Sequence, residues 1–162
     1  MSAMLPTATW TANSCKVAAG DFDGDGRTDV AFSHSERAGH AVTWYRSPTP
    51  RVAGSWVGHP VAVVDFCHTL QAADWDGDGD TDLLAGGMTQ SRHRGLKLLL
   101  NGGAGAAWTE VVLQSEGSYS AETGDIDNDG DPDIVGVRNW NTGPSFIYRS
   151  GSPAPGGPGT PP

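Results

Sequence analysis

Several things are scarce in this sequence, and each scarcity excludes something. There are two cysteines in 162 residues, Cys15 and Cys67. Two thiols cannot form the disulfide framework of a small secreted scaffold, and their spacing fits no zinc pattern. They stand six and seven residues ahead of two similar acidic stretches, so they occupy related positions. They are either two buried free thiols or one disulfide. No run approaches the ~18 apolar residues of a membrane-spanning helix, so no membrane insertion is expected. The opening "MSAMLPTATW" lacks the basic and apolar regions of a secretory signal. No apolar pattern of helical period persists for ten residues, which argues against long amphipathic helices. Basic residues form no broad stripe, so nucleic acid is not an expected partner. None of the five histidines sits in a recognised catalytic motif, and no nucleophile–base pair stands out.

Turn formers and carboxylates are abundant instead. With 23 Gly, 11 Pro and 37% hydrophobic residues, the composition suits many short strands joined by turns. The net charge is −9, yet the acidity is local. Fourteen of the 19 acidic residues lie in "DFDGDGRTD" at 21–29, "DWDGDGDTD" at 74–82 and "DIDNDGDPD" at 125–133. The remaining five are outnumbered by the ten Lys and Arg. Three divalent cations would reduce −9 to −3.

The stretches begin at 21, 74 and 125, giving periods of 53 and 51, and the similarity extends beyond them. A strand-like run precedes each ("CKVAAGD", "CHTLQAAD", "SYSAETGD") and an apolar run follows ("DVAFSHS", "DLLAGGM", "DIVGVRN"). After a Gly- or Pro-containing gap come "HAVTWYRS", "LKLLLNGG" and "SFIYRSG". Two copies add a segment opening on Trp, "SWVGHPVAVV" and "AWTEVVLQS". Each unit therefore reads as four short antiparallel strands, with the acidic loop joining the first to the second. Four-stranded units of about 50 residues predict an all-β fold of β-propeller blades, because one blade cannot bury both faces alone. The expected blades span about 15–66, 67–117 and 118–149. They follow an N-terminal segment, 1–14, and precede a Pro/Gly-rich linker or tail, 150–162. The tryptophans at 10, 56, 75, 108 and 140 are expected to pack between blades. Trp44 and Tyr45 are adjacent on one strand, so one of them should point outward.

Asp recurs at loop positions 1, 3, 5 and 9 in every copy. Alternate side chains along a tight loop can converge, and oxygen ligands in that number suit Ca²⁺, which takes 6–8. In the first loop the side chains are Asp21, Asp23, Asp25 and Asp29, with the Arg27 carbonyl. In the second they are Asp74, Asp76, Asp78 and Asp82, with the Asp80 carbonyl. In the third they are Asp125, Asp127, Asp129 and Asp133, with the Asp131 carbonyl. Position 7 holds Arg, Asp and Asp, and a carbonyl donor tolerates any of them. Position 6 is always Gly, as a sharp turn with positive φ requires. Position 4 is Gly24, Gly77 and Asn128, and Asn tolerates the left-handed region. An EF-hand would need Glu at position 12, where Phe32, Ala85 and Gly136 stand. Three Ca²⁺ per chain are expected; Mg²⁺ keeps more of its waters and fits less well.

With these residues in view, "AAGDFDGDGRTDVAF", "AADWDGDGDTDLLAG" and "ETGDIDNDGDPDIVG" resemble the FG-GAP/VCBS repeats of integrin-α-like propellers, over roughly residues 8–150. The resemblance implies one Ca²⁺ per loop, on the face opposite the ligand surface of integrins. It also implies an extracellular role: adhesion, glycan or protein binding, or a non-catalytic domain beside an enzyme. Such propellers have about six to eight blades, and three units are found here. Two chains would supply six, with "ATWTA" at 8–12 closing the partner's third blade; an excised part of a larger propeller is the competing reading. The expected function is a calcium-stabilised, non-catalytic module for glycan or protein recognition. The alternatives are a structural assembly unit and part of a propeller enzyme such as a polysaccharide lyase.

Overall fold

A computed structural model describes residues 16–151 apart from 47, 51, 53 and 142. Its described residues form strands and turns without helix. The first sheet holds β1 (Val17–Gly20), β2 (Asp29–Phe32), β3 (Ala41–Arg46) and β4 (Val57–Val63) in that order. The second holds β5 (Cys67–Ala73), β6 (Asp82–Gly87), β7 (Gly95–Asn101) and β8 (Trp108–Gln114) in the same order. The third has three strands among the described residues, β9 (Ser120–Gly124), β10 (Asp133–Val137) and β11 (Ser145–Tyr148), with β10 central. Neighbouring strands are antiparallel throughout. The two four-stranded meanders and the three-stranded one are consistent with propeller blades. Each acidic loop joins the first strand of its sheet to the second. "ATWTA", Trp10, Cys15 and most of the Pro/Gly segment lie outside the described residues.

The sheets stack face to face. Innermost strands adjoin, β1 against β5 and β5 against β9. Ala18, Phe22, Ala31, Val42 and Trp44 of the first unit meet Leu70, Leu83, Ala85 and Leu99 of the second in one core. Leu84 and Leu96 meet Ala121, Ile134 and Phe146 in another. β6 is thus buried on both faces, which explains why "DLLAGG" shows no polar alternation. Gly86 is needed there, because a Cβ would lie 2.7 Å from the Ser118 Cβ. Polar groups at the inner seam are paired. The Cys67 N–H donates to the His34 carbonyl at 3.0 Å and the Ser118 N–H to the Gly87 carbonyl at 2.9 Å. The Ser33 and Ser35 hydroxyls both donate to the Cys67 carbonyl. Cys67 itself is a buried free thiol, its pKa pushed up to about 11 by burial.

Each end sheet also has a face turned away from its neighbour. On the first sheet Val17, Val30, Phe32 and Tyr45 alternate with the buried set and face away from the second sheet. On the third, Val135 and Ile147 are paired and turned outward. The tryptophan expectation needs correction. Trp108 and Trp75 pack against the two cores, but Trp140 sits in the β10–β11 turn and is 69% exposed. Trp44 is the inward member of its pair and Tyr45 the outward one.

Candidate metal centre

Each loop is shaped by its own aspartates. The position-1 carboxylate accepts from backbone N–H groups across the turn. Asp21 takes Asp25 (3.1 Å) and Gly26 (2.7 Å), and Asp74 takes Gly77 (2.8 Å) and Gly79 (3.0 Å). Asp125 takes Asp129 and Gly130, both at 3.1 Å. Position 5 caps the next turn, with Asp25, Asp78 and Asp129 accepting from the N–H of position 7. These bends need left-handed backbone at positions 4 and 6. Asn128 indeed has φ 61°, beside 72° and 76° for Gly24 and Gly77. The loops are thus locally encoded, each closing within nine residues.

Position 9 behaves differently from the rest. Asp29, Asp82 and Asp133 are buried at the start of the second strand of their sheets. Each receives the N–H of position 2: Phe22 at 3.2 Å, Trp75 at 2.8 Å and Ile126 at 2.8 Å. Asp82 also accepts from the Asn101 N–H (2.7 Å) and Asp133 from the Ser150 N–H (3.0 Å). In the second and third loops position 9 is therefore a latch that ties the loop to the end of the third strand. Oxygens of Asp21, Asp23 and Asp29 lie within 4.8 Å of one another, as do those of Asp74, Asp76 and Asp78, and those of Asp125, Asp127 and Asp133. Asp25, Asp82 and Asp129 stand outside these tight groups. Burial, then repulsion from Asp23, Asp25 and Asp21, pushes Asp29 up to about 6 against the pull of the Phe22 N–H. Burial likewise raises Asp82.

The donor set fits a hard divalent cation. It is all oxygen and all acidic, and it includes a buried carboxylate whose charge is costly without a partner. Carboxylates at positions 1, 3, 5 and 9 and the carbonyl at position 7 would hold Ca²⁺, whose charge would offset the repulsion among them.

Three features of the site were not read from the sequence. Asn101, at the end of β7, donates from Nδ2 to the Phe22 carbonyl (2.9 Å) and the Thr81 carbonyl (3.2 Å), linking two loops. Its Oδ1 accepts from Gly103 and Gly105 and so forms the turn that passes over Trp44. The "NGG" after an apolar run signals that turn but not its reach into the neighbouring unit. The second feature is a pair of arginines on the loops: Arg46 Nη1 lies 2.8 Å from Asp23 Oδ2, and Arg149 Nη1 lies 3.8 Å from Asp127 Oδ2. The third is a cleft of about 430 Å³ between the second and third loops, lined by Asp74, Trp75, Asp76, Asp131 and Ser150 among others.

At the opposite end of the inner strands, His68 stacks on Tyr119 with centroids 4.9 Å apart, and its Nε2 lies 3.0 Å from Glu36 Oε1. Those two rings hold matching positions one repeat apart. The Gly39 N–H, and after it His93 Nδ1 at 3.1 Å from Oδ2, hold the Asp65 carboxyl below its usual range against burial.

A family model described as an FG-GAP-like repeat matches residues 21–85 and, overlapping it, 74–136. Each match spans two acidic loops and the four strands between them, the last three of one sheet and the first of the next.

Proposed function

Because the chain belongs to the FG-GAP-like repeat family, we propose that it is a calcium-stabilised, non-catalytic propeller module that recognises a glycan or a protein. The observation that carries this reading is the threefold acidic loop, with the same aspartate buried at position 9 each time. Calcium here supplies charge neutralisation and rigidity, not chemistry. The module works outside the cell, where abundant calcium fills sites of ~10⁻⁴–10⁻³ M affinity, as in extracellular modules. The exposed indole of Trp140 supports the glycan arm, because an uncovered aromatic face can stack on a sugar ring. A glycan array probed in millimolar calcium should give hits that fade with Trp140→Ala. An empty array would leave a protein ligand as the remaining arm.

A structural assembly reading is favoured by one specific observation, the outward pair Val135 and Ile147 on the third sheet. These two side chains would be covered by the first sheet of a second copy. Two chains related by a two-fold axis would form a six-bladed ring with no leftover face. Light scattering at micromolar concentration should then report twice the mass of one chain, and Ile147→Glu should halve it. A monodisperse monomer would rule out the ring of two chains.

A further inference from the structure

We propose that Arg46 and Arg149 are internal counter-cations that compete for the position-3 carboxylates and so rank the three loops in cation affinity, the second loop being the tightest. This rests on the calcium reading above. The two arginines hold the same register. Tyr45 pairs with Val30 and Tyr148 with Ile134, and each arginine is the next residue along. In the second sheet Leu99 pairs with Leu83, and the next residue is Leu100. The cationic side chain present in two units is therefore aliphatic in the third.

The charges within the loops follow from this. The first loop has four carboxylates and two guanidinium contacts, Arg46 on Asp23 and Arg27 on Asp25 at 3.7 Å. The third has five carboxylates and one such contact, Arg149 on Asp127. The second has five and, among the described residues, no ion pair with Lys or Arg. Calcium affinity follows the charge of the ligand set. A cation entering the first loop must also displace a guanidinium from Asp23. The displacement is feasible: the Asp23 side chain is 6% exposed and that of Arg46 is 52% exposed, so the arginine can swing into water while the carboxylate stays. The arginine thus supports the cation-free loop and weakens its cation affinity.

The test is a calcium chloride titration of the full chain, followed by NMR at the amides of Gly26, Gly79 and Gly130. Each of these donates to the position-1 aspartate of its own loop. Gly79 should respond first, then Gly130, then Gly26, with roughly tenfold between the first and last midpoints. Arg46→Gln should tighten the Gly26 transition by up to about fivefold while lowering the melting temperature in chelator. A merely structural arginine would lower affinity and stability together. Leu100→Arg should weaken the Gly79 transition, and it keeps the idea testable if Arg46→Gln folds poorly. Calcium uptake with an order that neither substitution alters would overturn the ranking and leave the calcium reading intact. No response at any of the three amides would overturn both.

Discussion

Chelation should lower the melting temperature of this protein by roughly 20 °C, and millimolar calcium should restore it. Each loop holds four or five carboxylates within nine residues, and the folded chain must bring their oxygens within 4.8 Å in groups of three. Burial of Asp29 adds a cost that its hydrogen bond to Phe22 only partly offsets. A ligand that binds the folded state alone stabilises it by about 2.7 kcal/mol per site at hundredfold saturation. Three sites then contribute about 8 kcal/mol. At 2–4 °C per kcal/mol for a domain of this size, the shift is on the order of 15–30 °C. Asp76→Ala should remove one of the three increments, because Asp76 belongs to the second group and, among the described residues, accepts only the Asp78 N–H at 3.3 Å. Differential scanning calorimetry in EDTA and in calcium decides the matter. Identical melting in both would end the calcium reading.

The second large effect is expected at Asp82, and it should persist without calcium. Its two oxygens accept the N–H groups of Trp75 and Asn101 at 2.8 and 2.7 Å, and its side chain is fully buried. Asp82→Ala leaves one buried and one partly buried donor unpaired, at about 1–3 kcal/mol each. Burial makes the Asp82 charge unfavourable, so part of that cost is recovered when the carboxylate goes. A net loss of about 3 kcal/mol is expected in urea unfolding performed in EDTA. Asp76→Ala, measured alongside, should be close to neutral in EDTA and costly only in calcium. Equal unfolding of wild type and Asp82→Ala in chelator would show that position 9 matters only as a ligand.

The contrast between Asp76 and Asp82 marks how far the sequence could be read. Their spacing in the motif gives both the same role, and only their surroundings distinguish them. Position 9 begins a strand, so its side chain points into the stack, where backbone donors from position 2 and, for Asp82 and Asp133, from the end of the third strand converge on it. Those second donors, Asn101 and Ser150, are 19 and 17 residues away. No local pattern announces them.

Local physics wrote the rest plainly. The Asp and Gly periodicity fixes a bend that closes within nine residues, so it repeats wherever the letters repeat; Asn128 adopts φ 61° because Asn is among the few residues that tolerate it. Short apolar runs between turns give short strands in sequential meanders. Tertiary structure decided what covers each loop. Position 2 is Phe22, Trp75 and Ile126, three large apolar residues in equivalent turns. Phe22 is fully buried between Trp44 and Trp108, Trp75 is half-buried beside the cleft, and Ile126 is 44% exposed. The same local bend presents each of them, but burial depends on a neighbouring unit arriving to cover it. That arrival is a long-range event of chain packing, which the motif cannot encode.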